Sequence, residues 1–269
     1  MDVDFFAGTR GQLFRVTHTP AQGPVRGKVL HCQALFEEQN KSRRMVAQQS
    51  RRLAAQGWVV VQPDLYGCGD SDGDFEEARW ADWIGDLKCC ADDLEARYPG
   101  PLVLWGLRAG CLLLSELTHV HGLSPALSIL WQPVSRGDQY LNQFLRLRVA
   151  AAMMGQGRES TRELRAQLDS GTSLEVAGYT LHPEWVAALA NADLQPAKGE
   201  SICWCEVTAN DQQPLSPVSD RLIQAWRQSH VNVDVLRVIG EAFWSTQEIC
   251  EVPDLLDRTT ERVAEVMKT

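Results

Sequence analysis

The chain has 269 residues, of which 44% are apolar and 23% charged, and a formal net charge of −9. That length suits one large α/β domain, or one domain with an inserted cap, and the composition allows a core of useful size. The acidic balance argues against a nucleic-acid binder, which needs a basic face, and against adhesion to anionic lipid.

The start of the chain, MDVDFFAGTRGQLF, lacks the basic head and apolar stretch of a secretory signal. No apolar run approaches the roughly 18 residues that cross a bilayer. Eight cysteines in that context indicate free thiols and a cytoplasmic, reducing setting. Cys203 and Cys205 alternate along a predicted strand and Cys89–Cys90 lie in a predicted helix, so neither pair has the CxxC spacing of a zinc site. No metal and no organic cofactor is expected. Arg43, Arg44, Arg51 and Arg52 read as the solvated face of a helix.

Strand and helix patterns alternate, the signature of a mostly parallel sheet flanked by helices. Phe5–Ala7 and Leu13–His18 read as two short strands around a Gly-containing turn, followed by a strand over Lys28–Cys32. A helix spans Lys41–Gln56 and closes at Gly57. Trp58–Gln62 is a β-branched run suited to a strand buried on both faces, and it ends in Pro63-Asp64 and a glycine-rich loop. A helix over Trp80–Tyr98, a buried strand over Leu102–Trp105, a helix over Cys111–His121 and a strand over Ala126–Trp131 follow.

From about Ser135 to Gly199 the pattern turns helical, with segments at Tyr140–Met154, Thr161–Leu168 and Pro183–Ala192 and no convincing strand. Gly155, Gly157, Gly171 and Gly178 punctuate them as loop residues. Strands return at Ile202–Thr208 and Val231–Ile239, with a helix at Pro217–Ser229 between them and a last helix over about Pro253–Met267. The expected organisation is a single domain over 1–269 with a helical cap inserted over about 135–199. Some 60 residues make a marginal core by themselves, and a cap over the carboxyl edge of a sheet sits where ligands bind.

The most informative segment is residues 101–117, PLVLWGLRAGCLLLSEL. An apolar strand runs into Gly106-Leu107-Arg108-Ala109-Gly110 and directly into an apolar helix. This is the strand–turn–helix setting of the G-x-S-x-G nucleophile elbow, with arginine in the middle place. The loop Asp64–Ser71 resembles the D-x-x-G-x-G-x-S loop common in α/β-hydrolases. Residues 31–45 stand where the loop that contributes an oxyanion-hole amide belongs. Taken together, residues 36–44, Asp64–Ser71, Gly106–Gly110 and residues 243–248 resemble one family, the second type of exosortase A system-associated hydrolase. The resemblance implies an α/β-hydrolase fold, a Gram-negative bacterium with PEP-CTERM protein sorting, and a setting beside exosortase and exopolysaccharide functions. It implies a hydrolase or acyltransferase by family name, without fixing a reaction.

Superfamily chain order is nucleophile, acid, histidine. Arg108 holds the first place, and a guanidinium that is always protonated cannot attack an acyl carbon. Asp211 falls where the acid belongs. The histidine should follow the last strand, near Phe243–Ser245, yet no histidine follows His230. Ser-His-Asp hydrolysis is therefore not available. Substitute nucleophiles fare poorly: Cys111 and Ser115 read as packing residues, Cys68 and Ser71 as turn formers, Ser245 has no evident base, and His31 reads as a core histidine.

Arg108 at a helix N-terminus would make an anion-attracting spot with a bidentate donor fork. Two readings stay open. It recognises a small anionic metabolite or an acyl or glycan precursor, or it forms an ion pair with Asp211, Glu37 or Glu38 that fills the old catalytic centre. Glu37 and Glu38 are the remaining candidates for acid–base chemistry, and an enzyme's site would be built around Arg108, Glu38 and Asp211. Cys32, Glu37, Asn40, Leu107, Ala109 and Trp244 are the candidate ligand-binding positions around them. The function classes are an enzyme with an unusual site, or a catalytically silent protein that binds a ligand or a protein partner of the exosortase and exopolysaccharide apparatus.

Overall fold

The computed structural model describes residues 1–154, 158–197, 199–210 and 212–268. Gly155 and Gly157, read above as loop residues, and Asp211, the candidate triad acid, lie outside the described residues.

Eight strands form one sheet: β1 (Asp2–Ala7), β2 (Gln12–His18), β3 (Gly27–Cys32), β4 (Trp58–Pro63), β5 (Leu102–Leu107), β6 (Leu127–Trp131), β9 (Ser201–Thr208) and β10 (Asn232–Ile239). Their spatial order is β1-β2-β4-β3-β5-β6-β9-β10. The β1–β2 hairpin is antiparallel and β2 joins β4 antiparallel, whereas every pairing from β4 through β10 is parallel. The parallel strands need crossovers, and the helices supply them. These are α1 (Glu37–Ala55), α2 (Trp80–Arg97), α3 (Gly110–His121) and α7 (Pro217–Gln228), while α8 (Pro253–Glu265) follows the last strand.

Burial on both faces explains why β3 to β6 read as continuous apolar runs. Strand alternation sends Leu30, Val59, Val61 and Leu104 into one core, with α2 and α3, and Val29, Val60, Val103 and Trp105 into a second, with α1 and α8. Pro217 and Pro253 start α7 and α8 at the position where a missing N–H costs nothing. Helix α1 begins at Glu37, four residues before the start the sequence pattern suggested, which places Glu37 and Glu38 in its first turn rather than ahead of it.

Between β6 and β9 the chain forms α4 (Gly137–Met154), α5 (Thr161–Asp169) and α6 (Pro183–Asn191). Ser160 and Glu163 cap α5 reciprocally. The absence of strands expected here is corrected: β7 (Leu174–Val176) and β8 (Tyr179–Leu181) make an antiparallel hairpin. Ala177 and Gly178 both have positive φ, 50° and 84°, as a two-residue hairpin turn with right-handed twist demands. Three-residue strands are too short to show a period of two, so only Gly178 signalled the turn.

The inserted segment is held by rings. Phe36, in the loop after β3, stacks on Phe144 of α4 with centroids 3.7 Å apart, and Trp185 of α6 packs edge-on to Phe36, Phe75 and Trp83. Among the described residues, no helix is long and apolar enough to cross a membrane.

Candidate functional site

Strand β5 delivers the chain to the carboxyl edge of the sheet, and α3 starts three residues after it ends. Arg108 occupies the turn between them with φ of 54°, a left-handed conformation that a non-glycine residue adopts at a cost of order 1–3 kcal/mol. The glycines on either side are needed for close approach. A Cβ on Gly110 would lie 2.4–2.5 Å from the carbonyl oxygens of Gln33 and Cys32, and one on Gly106 would lie 2.9 Å from the Cys111 sulfur. The first contact is with backbone and cannot swing aside. The elbow is thus pressed against the loop that follows β3.

The Arg108 side chain turns inward, 14% exposed. Its Nε donates to Glu38 Oε1 at 3.1 Å and its Nη1 donates to the Gln132 carbonyl at 3.1 Å. The guanidinium carbon lies 5.3 Å from the ring centroid of Trp244, itself 7% exposed, in cation–π range. Trp244 comes from the segment after β10, where the superfamily's histidine was sought. Tyr140 of α4 completes the chain, its hydroxyl 3.0 Å from Glu38 Oε2 and 3.3 Å from the Leu35 carbonyl.

Burial raises the Glu38 carboxyl above its ordinary range; Arg108 and the hydrogen bonds offset part of this, and Glu37 adds to it. Burial likewise pushes the Tyr140 phenol well up, with the neighbouring Glu38 charge in the same direction. The geometry satisfies both protonation states of Glu38. Ionised, it accepts from Arg108 and Tyr140. Protonated, it donates to the Tyr140 oxygen while Tyr140 donates to the Leu35 carbonyl.

The other sequence candidates fall as follows. Cys32 is 1% exposed, and burial holds its thiol far above the reactive range. Glu37 turns Oε2 into the protein, without a hydrogen-bond partner among the described residues. Asn40 is exposed on α1. Leu107 and Ala109 are fully buried on either side of Arg108. Of the named positions, the structure brings together Arg108, Glu38 and Trp244. It adds Gln132 and Tyr140, which sequence reasoning missed. Gln132 precedes Pro133 directly after a buried strand, a faint cue; nothing local marked Tyr140.

The alternative nucleophiles are occupied. Ser71 Oγ donates to the Asp64 carbonyl at 2.7 Å and accepts from the Phe14 N–H at 2.8 Å, a turn-forming role. Ser115 Oγ donates to the Gln195 carbonyl at 2.7 Å. Burial pushes the Cys68 thiol up to about 12. Among the described residues, no group of three or more His, Cys, Asp or Glu side chains is arranged to hold a metal ion.

His31 is 2% exposed, its ring 4.0 Å from that of Trp105 and its Nδ1 3.0 Å from the Trp105 carbonyl. Burial pulls its pKa down to about 3, against 6.5 for the free side chain, despite the backbone hydrogen bond. A depressed base is neutral in the fold while the unfolded chain takes up a proton. Stability therefore falls as pH drops from 6.5 toward 3, by a few kcal/mol in all, and is unaffected by this group above that window. Urea titrations across that range should show a shallower acid loss for His31→Gln than for wild type; identical slopes would contradict the assignment.

No protein-family model matches the chain, and no curated protein matches it. Solved structures match in fold over nearly the full length. One is Est1E from Butyrivibrio proteoclasticus with bound ferulic acid, with a TM-score of 0.71, 12% identity, and 99% of this chain and 100% of that one covered. A second is the mouse alpha/beta hydrolase domain-containing protein 10, at TM-score 0.62 and 13% identity, covering 99% and 100%. A third is a thermostable carboxyl esterase from Bacillus coagulans, at TM-score 0.64 and 10% identity, covering 99% and 98%. At such identities the likeness establishes the fold, a mostly parallel α/β-hydrolase sheet surrounded by helices, and leaves the chemistry to the residues.

Proposed function

We propose that this α/β-hydrolase-fold protein is catalytically silent at its elbow and acts as a ligand-binding or partner protein of the exosortase and exopolysaccharide system, in the cytoplasm. One observation carries the reading: the place of the attacking serine holds a cation tied to Glu38, to the Gln132 carbonyl and to the Trp244 ring. An anionic metabolite or an acyl or glycan precursor would meet a guanidinium whose Nε and Nη1 are already engaged by Glu38 and the Gln132 carbonyl. We take residues 1–269 as one domain, with about 135–199 as a cap pinned by Tyr140, Phe144 and Trp185. The exosortase setting draws on the sequence resemblance alone.

A second reading, an enzyme of hydrolase or acyltransferase type, draws on the raised Glu38 carboxyl beside Arg108, with Asp211 as its third group. Incubation with a fluorophosphonate serine probe and a panel of small esters separates the two. The expected result is no labelling and no turnover above background. Turnover abolished by Glu38→Gln would overturn the silent reading, and esterase activity lost on Ser71→Ala would move the site to the Asp64–Ser71 loop.

A further inference from the structure

Helix α1 lays Gln39, Arg43, Val46 and Ala47 at helical spacing along one side, over a cavity of about 250 Å3 between it and the sheet. Phe14 and Val16 of β2, with Ala34, Val46 and Leu107, give the cavity apolar walls.

Its charged lining has both signs. Arg43 brings a guanidinium, and Asp64 and its neighbour Asp70 bring carboxylates. Burial lowers the pKa of the two lining histidines, His18 and His31, so at neutral pH they add no charge. Arg44 and Arg52, on the same helix, pair with Glu251 and Asp257. Arg43 has no hydrogen bond or ion pair among the described residues, and the Gln39 amide, one turn before it, has no side-chain hydrogen bond among them. The Arg43 charge is nevertheless felt at Asp64, so the two stand near each other without touching.

Asp64 accepts one N–H from Asp70 at 3.2 Å and one long contact from Gln33 at 3.5 Å, which leaves acceptor capacity on its carboxylate. Burial raises that carboxyl above its ordinary range; the hydrogen bonds and the Arg43 charge offset part of this, and the Asp70 charge adds to it. An ammonium group brought into the cavity would favour its ionised form. A carboxylate suits the planar fork of Arg43, with Gln39 as a further donor. A plain fatty acid would leave Asp64 without a cation, and a plain amine would set its charge against Arg43. A molecule with both charges close together and an apolar body satisfies the whole lining. The volume is below the roughly 300–1,000 Å3 of sites for drug-sized ligands, which points to a single residue rather than a peptide.

We propose that this cavity binds one zwitterionic α-amino acid with an apolar side chain, its carboxylate on Arg43 and its ammonium on Asp64. The inference is independent of the elbow: esterase activity would overturn the silent reading and leave this site standing.

The test is titration calorimetry on the full-length protein with L-leucine and L-phenylalanine. The comparison probes are 4-methylpentanoate, which is leucine without its amine, and 3-methylbutylamine, which is leucine without its carboxylate. The expected result is saturable binding of at least one amino acid, with leucine bound at least tenfold more tightly than either comparison probe. Arg43→Gln should weaken binding at least tenfold, and Ala47→Phe, which fills the cavity from α1, should do the same. Arg44→Gln removes the same charge from the neighbouring position and should leave the affinity unchanged. No saturable binding of either amino acid, or a comparison probe bound as tightly as leucine, would overturn the proposal. So would full affinity in Arg43→Gln or Ala47→Phe shown to be folded by circular dichroism.

Discussion

Arg108→Met should cost about 3 kcal/mol at neutral pH, and adding Glu38→Gln should return most of that loss. The single change removes the cation from Glu38, a residue only 13% exposed, together with the hydrogen bond to its Oε1. It leaves a carboxylate whose remaining solvent-poor surroundings oppose its charge, and the penalty of an uncompensated buried charge exceeds the net contribution of the pair. The loss should depend on pH in a set direction. Without Arg108 the Glu38 carboxyl rises further, so the folded state holds its proton at pH values where the unfolded chain, near 4.5, has released it. Stability then falls as pH rises from about 4.5, and levels off once the folded carboxyl also ionises. Urea unfolding of both single variants and the double variant at several pH values measures this as a double-mutant cycle. Additive losses, or a cost below 0.5 kcal/mol at neutral pH, would show that Arg108 and Glu38 do not act together.

Trp185→Ala should destabilise by about 3 kcal/mol and loosen the inserted segment more than the sheet. Trp185 is 1% exposed and touches Phe36, Phe75, Trp80 and Trp83, so its removal leaves a cavity bounded by four rings, from the loop after β3, the turn at Phe75 and α2. Its indole N–H is buried without a hydrogen-bond partner among the described residues, and losing that group offsets part of the cavity cost. Hydrogen exchange should rise in α4 and α6 while the amides of β5 stay protected. Uniform exposure of both regions would mean that the insertion and the sheet unfold as one unit.

Much of the fold was legible in residue order. WVVVQ over β4 and LVLW in β5 are long enough to declare strands buried on both faces, and Pro217 and Pro253 marked helix starts within a residue. The β7–β8 hairpin was not legible, because three residues carry no period. The start of α1 was misplaced because Glu37 to Asn40 are polar, and an apolar repeat cannot announce a turn whose outer face is solvated. At the candidate site, the sequence disclosed Arg108 in the elbow and the lack of a later histidine, since both are matters of residue identity within a local pattern.

The amino-acid order by itself determined that an α/β sheet would carry an arginine in the turn between a buried strand and a helix, and that no histidine would follow His230. Which partner that cation takes was decided only in three dimensions. Glu37 and Glu38 are adjacent in sequence, yet helix α1 turns neighbouring side chains about 100° apart, so Glu38 meets Arg108 and Glu37 does not. Tyr140 is 102 residues from Glu38, and nothing in either local segment encodes their 3.0 Å contact. Long-range contacts of this kind are set by how packed layers fill space, which no local pattern records.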